Sequence, residues 1–165
     1  MQLTTALVAG LLSATALARS VPRAYPGINE EQSRNAGAAI WQVRNYRLGR
    51  QACLAVISTA LQESELEVYA NPRVPESYKY PHNREGGDQD SVGMFQQRKA
   101  YYPDIAADMD PARSTGQFLD AMLRVPGWQN MEISQLDQAV QHAEAGNLYG
   151  QRIPLATRIC NAAGF

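Results

Sequence analysis

Residues 50–67 read RQACLAVISTALQESELE, and their reading decides the fold. The first two-thirds of this run carries apolar or small side chains on every face of a helix. Ala52, Val56, Thr59, Ala60 and Glu63 share one face, with Cys53, Ile57, Leu61 and Ser64 beside it. A helix apolar all round belongs in the middle of a core. The spacing predicts a central helix from about Arg50 to Glu65. It then ends in three carboxylates, Glu63, Glu65 and Glu67.

Helical geometry separates the three. Glu63 is seven residues after Val56 and so points nearly where Val56 points, at the mouth of the buried stripe. Glu65 lies about 200° away, at about 100° per residue, toward solvent or the far side. Glu67 falls just beyond the helix. A carboxyl against apolar walls has its charged form disfavoured and its pKa raised. Such a group stays protonated at higher pH and can donate a proton to a leaving group. A helix-end glutamate paired with an arginine is the plainer alternative, and position alone does not establish an enzyme.

The rest of the chain supports one mainly α-helical domain of 165 residues, long enough for its own core. Apolar residues make up 45% and charged residues 19%, a globular balance. A net charge of −1 leaves no electrostatic footprint for nucleic acid or an anionic membrane. Asn29, followed by Glu30 and Glu31, is an N-cap for a first helix with Ala36, Ala39, Ile40 and Val43 at helical spacing, stopping near Leu48-Gly49. Asp110-Pro111 opens another helix, which Pro126-Gly127 ends. Ser134 with Asp137 resembles a capping box, followed by Leu136, Ala139, Val140 and Ala143, with Gly146 as C-cap. Between these helices, residues 68–92 hold three prolines and a Gly-Gly pair, a long polar loop or short hairpin. Trp41 and Trp128 read as core residues, the alternative being rings that stack on a ligand.

Residues 1–18 read as a secretory signal peptide: a short apolar stretch, ALVAGLLSATALA, ends in Ala16-Leu17-Ala18, although the preceding MQLTT has no Lys or Arg. Residues 19–27 form a Pro-containing lead-in to a domain spanning 28–165. In an oxidising compartment Cys53 and Cys160 make one intramolecular disulfide, the alternative being two buried thiols. Two cysteines and two histidines offer no zinc-type spacing, so no metal is expected. The D-x-D of Asp88 and Asp90 begins like a calcium loop, but Val92 and Lys99 stand where oxygen ligands are needed. No G-x-S-x-G run points to a serine hydrolase.

Glu63-Ser64, followed some thirty residues later by Gly93-Met94-Phe95-Gln96, resembles the Glu-Ser and Gly-Leu-Met-Gln signatures of soluble lytic transglycosylases, which share the goose-type lysozyme fold. The chain is more closely similar to secreted lysozyme-like proteins of actinobacteria and fungi. ALQES at 60–64, DSVGMFQQR at 90–98, MDP at 109–111, VPGWQ at 125–129 and AVQ at 139–141 carry this likeness, in order, over residues 28 to about 143.

The resemblance implies a lysozyme-like single domain, secreted and extracellular. It would act as a monomer on the β-1,4 bond between N-acetylmuramic acid and N-acetylglucosamine in the glycan strands of peptidoglycan, without a cofactor. Glu63 matches the catalytic general acid, and Ser64 the partner that orients it. Gly93 and Gln96 match the motif lining the sugar cleft, with Met94 and Phe95 as packing or sugar-stacking groups. Asp90, inside the matching run, is the candidate for a second catalytic role or for a turn cap. Tyr101 and Tyr102 could border the cleft. After Gln141 the chain departs from the family's Ser-Ala-Tyr-Pro run, and Tyr149 is the candidate replacement for its cleft tyrosine. The resemblance leaves hydrolysis and anhydro-ring closure open. The altered tail also leaves open a catalytically silent carbohydrate-binding or effector protein on the same scaffold.

Overall fold

The computed structural model describes residues 24–142 and 148–165; the expected signal peptide, most of the lead-in, Ala143 and the Gly146 C-cap lie outside them. The described residues are mainly helical. The six α-helices among them are α1 (Glu30–Asn45), α2 (Arg50–Ser64), α3 (Ile105–Asp108), α4 (Pro111–Met122), α5 (Ile133–Gln141) and α6 (Ile153–Ala162). Short 3-10 turns cover Pro75–Lys79, Trp128–Asn130 and Tyr149–Arg152.

Helix α2 is the axis of the fold. Ten of its residues, from Ala52 to Leu61 and Ser64, are buried, and it packs against α1, α4, α5, α6 and the Tyr149–Arg152 turn. The all-round apolar pattern thus produced a helix enclosed on all sides. Cys53 in α2 is bonded to Cys160 in α6, closing a span of 107 residues. The chain-entropy account gives such a loop an upper value of about 4–5 kcal/mol. Helix α1 starts at Asn29 with a full capping box, Asn29 and Gln32 each bonding the other's backbone N–H. Asp110 caps α4, and Pro111 occupies its first turn.

Several sequence expectations need correction. Helix α4 ends at Met122, ahead of Pro126-Gly127. The cap of α5 is Glu132, whose carboxylate accepts from the Gln135 N–H, so Ser134 and Asp137 form no capping box. Asp137 instead lies in the apolar stripe of α5 and is fully buried. Trp41 is not a core residue: it is 58% exposed on α1. Trp128 is half-buried against the main core.

The region after α2 forms small ladders. β1 (Tyr69–Ala70) pairs in parallel with β2 (Arg84–Glu85), and β3 (Ser91–Val92) pairs antiparallel with β4 (Gln97–Arg98). These strands enclose a second, smaller core of Val68, Ala70, Val74, Val92, Ile105 and Met109. No helix among the described residues is long and apolar enough to cross a membrane.

Candidate active site

The end of α2 is built by an unusual backbone. Glu65 and Leu66 both adopt left-handed conformations, with φ of 57° and 63°. Two consecutive non-glycine residues there cost roughly 1–2 kcal/mol each. Their N–H groups turn back to the Leu61 and Ala60 carbonyls, closing the helix sharply. Helix α1 holds the turn from outside: Gln32 Nε2 donates to the Glu65 carbonyl and Asn35 Nδ2 to the Leu66 carbonyl, both at 2.8 Å. The strain is therefore fixed in place directly after Glu63-Ser64.

Each polar side chain at this helix end has its own partner. Tyr149 Oη donates to Glu63 Oε1 at 2.5 Å. Arg152, from the same 3-10 turn, bonds Gln62 Oε1 at 3.1 Å and Glu65 Oε1 at 2.5 Å. Glu67 is buried and paired with Arg84 at 3.4 Å. Of the three glutamates, Glu65 and Glu67 hold the structure together through arginines. Glu63 alone has no cationic partner. It is half-buried, and burial raises its pKa above the usual carboxylate range, while the Tyr149 hydrogen bond pulls it part of the way back. Burial and the Glu63 carboxylate raise the pKa of Tyr149 in turn, so the phenol keeps its proton. The arrangement suits a proton donor whose orientation is fixed by a phenol.

Ser64 points into the packed interior. It is buried, and its hydroxyl donates to the Met94 carbonyl at 2.7 Å, tying α2 to the Gly93–Gln96 turn. That turn joins β3 to β4. Gly93 has φ of 74°, and a Cβ there would sit 2.0 Å from the Asp108 carbonyl oxygen, so only glycine fits. Gln96 has φ of 49° and donates its Nε2 to the Gly93 carbonyl at 2.9 Å. Met94 and Phe95, candidates for sugar contact, are buried in the core, where Phe95 stacks on Phe118 with centroids 5.0 Å apart. Their apolar side chains belong to the packing, and the motif presents Gln96 at its surface.

Asp90 also differs from the catalytic expectation. Its carboxylate accepts from Arg98 Nε at 2.6 Å and from the Ala100 N–H at 2.9 Å. The Arg98 bond holds its pKa below the usual range. Asp90 thus braces the β3–β4 hairpin, the turn-holding alternative.

A further carboxyl, missed from sequence, lies deeper. Asp137 on α5 is fully buried against α2, with its Oδ2 2.5 Å from Ser58 Oγ. Ser58 Oγ is also 2.7 Å from the Leu54 carbonyl. A hydroxyl has one hydrogen to give. If Ser58 donates to Leu54, Asp137 must donate to Ser58, which requires a protonated acid. The environment agrees: burial pushes Asp137 up to about 8, with Glu132 and Glu63 adding to the rise and the Ser58 and Thr59 hydroxyls opposing it. The signal was present in the spacing, because Ile133, Leu136, Asp137 and Val140 form one i, i+3, i+4, i+7 stripe. Asp108 is a second buried acid, pushed by burial up to about 7.

Beside the motif turn opens a groove of about 720 Å³, lined by Gln96, Arg98, Tyr101, Tyr102, Arg124 and Gln141 among others. Tyr101 is 74% exposed at its edge. Among the described residues, no group of three or more His, Cys, Asp and Glu is placed to hold a metal ion. No family model matches the chain, and no curated protein matches it.

Proposed function

We propose that the protein is a secreted peptidoglycan-cleaving enzyme of lysozyme-like fold, with Glu63 as its general acid on the β-1,4 bond between N-acetylmuramic acid and N-acetylglucosamine. The observation that carries this reading is the Glu63 carboxyl itself. It is raised by burial, free of any cation, bonded to Tyr149, and set on a helix end that Ser64 fastens to the Gly93–Gln96 turn. The order of Glu-Ser and Gly-Met-Phe-Gln in the sequence supports the substrate class. The Cys53–Cys160 bond and the apolar first eighteen residues support secretion.

The occupation of Asp90 by Arg98 favours a reaction run by Glu63 alone. In that reaction protonated Glu63 gives its proton to the glycosidic oxygen as the bond from C1 breaks. An oxocarbenium-like centre develops at C1. The resulting Glu63 carboxylate then takes the proton from the 6-hydroxyl of the same muramoyl ring while O6 bonds to C1. The products are a 1,6-anhydro end and a free 4-hydroxyl, no water is consumed, and Glu63 ends protonated as it began. Tyr149 holds the carboxylate in place between the two transfers. Ser64 and Asp137 act from behind, fixing α2 against the motif turn and α5.

Substitution of Glu63 by Gln removes the transferable proton and keeps the side-chain shape. Lysis of purified peptidoglycan is expected to vanish while the circular dichroism melt stays near wild type. Full lytic activity in Glu63→Gln would overturn the assignment.

A further inference from the structure

Residues Tyr149–Arg152 form a single 3-10 turn that runs straight into α6. Such a turn has three residues per revolution, so its first and fourth side chains eclipse on one face. Here those are Tyr149 and Arg152, and both reach the end of α2. Tyr149 is buried, and its Oη donates to Glu63 Oε1 at 2.5 Å. Arg152 takes Gln62 and Glu65, which bracket Glu63 in sequence. Its Nε donates to Gln62 Oε1 at 3.1 Å and its terminal nitrogen to Glu65 Oε1 at 2.5 Å. The planar guanidinium holds both acceptors at once. Helix α2 has no basic residue in its own last turn, so Arg152 also brings the cation that a helix C-terminus favours.

The charge of Arg152 is paired with the Glu65 carboxylate, so what it gives to Glu63 is position. A hydrogen bond weakens steeply with distance and angle, and the phenol meets Glu63 only while the 3-10 turn stays seated on α2. The titratable and charged groups around Glu63 are Tyr149 and Arg152 from this turn, Glu65 from its own helix end, and Asp137 from α5. We propose that Arg152 is a positioning residue: by forking across Gln62 and Glu65 it locks the turn on α2 and so fixes the Tyr149 hydrogen bond to Glu63. This deepens the reading of Glu63 as the general acid and rests on it.

The test is a pH titration of the Glu63 side-chain carboxyl by carbon NMR. It compares the isotope-labelled mature wild type, Tyr149→Phe, Arg152→Gln, Arg152→Lys and the double variant Tyr149→Phe, Arg152→Gln. The resonance is assigned by its absence in Glu63→Gln. The phenol donates to the carboxylate and favours its charged form, so losing that bond moves the titration to higher pH. Tyr149→Phe is expected to show this rise, Arg152→Gln to reproduce most of it, and the double variant to rise no further. Loss of a cation also raises a nearby carboxyl through charge alone, and a rise of that kind persists in full on top of Tyr149→Phe. Arg152→Lys separates the two accounts, because it keeps the charge and loses the planar fork. It is expected to show part of the rise. The alkaline limb of lysis should move with the NMR titration in every variant. A wild-type titration in Arg152→Gln or in Arg152→Lys, or a rise that adds in full to that of Tyr149→Phe, would overturn the proposal. If Arg152→Gln does not fold, Arg152→Lys decides alone. The titration needs no substrate, so the two proposals fail separately. Lysis that survives Glu63→Gln sinks the catalytic reading, whereas Glu63-dependent lysis with an unmoved titration in the Arg152 variants sinks only this one.

Discussion

Replacing Asp137 by Asn should make the protein far more tolerant of alkali. In the folded chain burial pushes Asp137 up to about 8, with Glu132 and Glu63 adding to the rise and the Ser58 and Thr59 hydroxyls opposing it. In the unfolded chain an aspartate titrates at about 3.9. A raised folded pKa means that the native state binds the proton more tightly, so stability is full below the unfolded value and falls as pH rises toward the folded one. At 1.36 kcal/mol per unit, the loss between pH 5 and pH 8.5 is about 4 kcal/mol from this one residue. Asp108, at about 7, follows the same sign. Its loss over the same range is about 3 kcal/mol.

Asn is neutral at every pH, and its amide can donate to Ser58 Oγ where the protonated acid did. The assay is urea unfolding of wild type and Asp137→Asn at pH 5, 6, 7 and 8.5. The two proteins should be close in stability at pH 5. At pH 8.5 the variant should be more stable by several kcal/mol, keeping the slopes from Asp108 and from Glu63, whose pKa burial also raises. Parallel pH profiles, or a variant less stable than wild type at pH 8.5, would show that Asp137 is ionised in the native protein and refute the hydrogen-count argument.

Other substitutions probe the site and its supports. Tyr149→Phe removes the hydrogen bond that lowers the Glu63 pKa, so the alkaline limb of the lysis pH profile should move to higher pH; an unmoved limb would disconnect the two residues. Gly93→Ala forces a Cβ to 2.0 Å from the Asp108 carbonyl at a φ of 74°, and soluble yield or melting temperature should collapse. The double replacement Cys53→Ala, Cys160→Ala should lower unfolding free energy by up to about 4–5 kcal/mol, read by denaturant titration under non-reducing conditions.

The sequence carried the architecture where a signal was local and strong. The unbroken apolar surface of α2, the Asn29 cap, the Asp110-Pro111 start and the cysteine pair all survive in the structure. Glu63 stood out from its neighbours by helix phase, and the structure adds why: Glu65 and Glu67 are spoken for by Arg152 and Arg84, residues that no spacing rule connects to them. Asp137 was hidden because Ser134-x-x-Asp137 imitates a cap, and only packing against Ser58 shows its side chain to be interior. Trp41 misled in the opposite sense: helix α1 turns that face outward, and a large ring is left in solvent. The jobs of Ser64, Met94 and Phe95 depend on how the β3–β4 turn docks on α2, a contact some thirty residues apart in sequence. Tyr149 sat in a stretch that departs from the expected run, and its bond to Glu63 crosses 86 positions.

The central claim is that Glu63 alone moves the proton in both directions. It is tested most directly by mass spectrometry of the soluble fragments released from purified peptidoglycan by mature protein and by Glu63→Gln in parallel. The account predicts 1,6-anhydro-muropeptides from the wild type and none from the variant. Fragments released equally by both proteins would contradict the role of Glu63, and Glu63-dependent fragments ending in reducing sugars would contradict its acting without water.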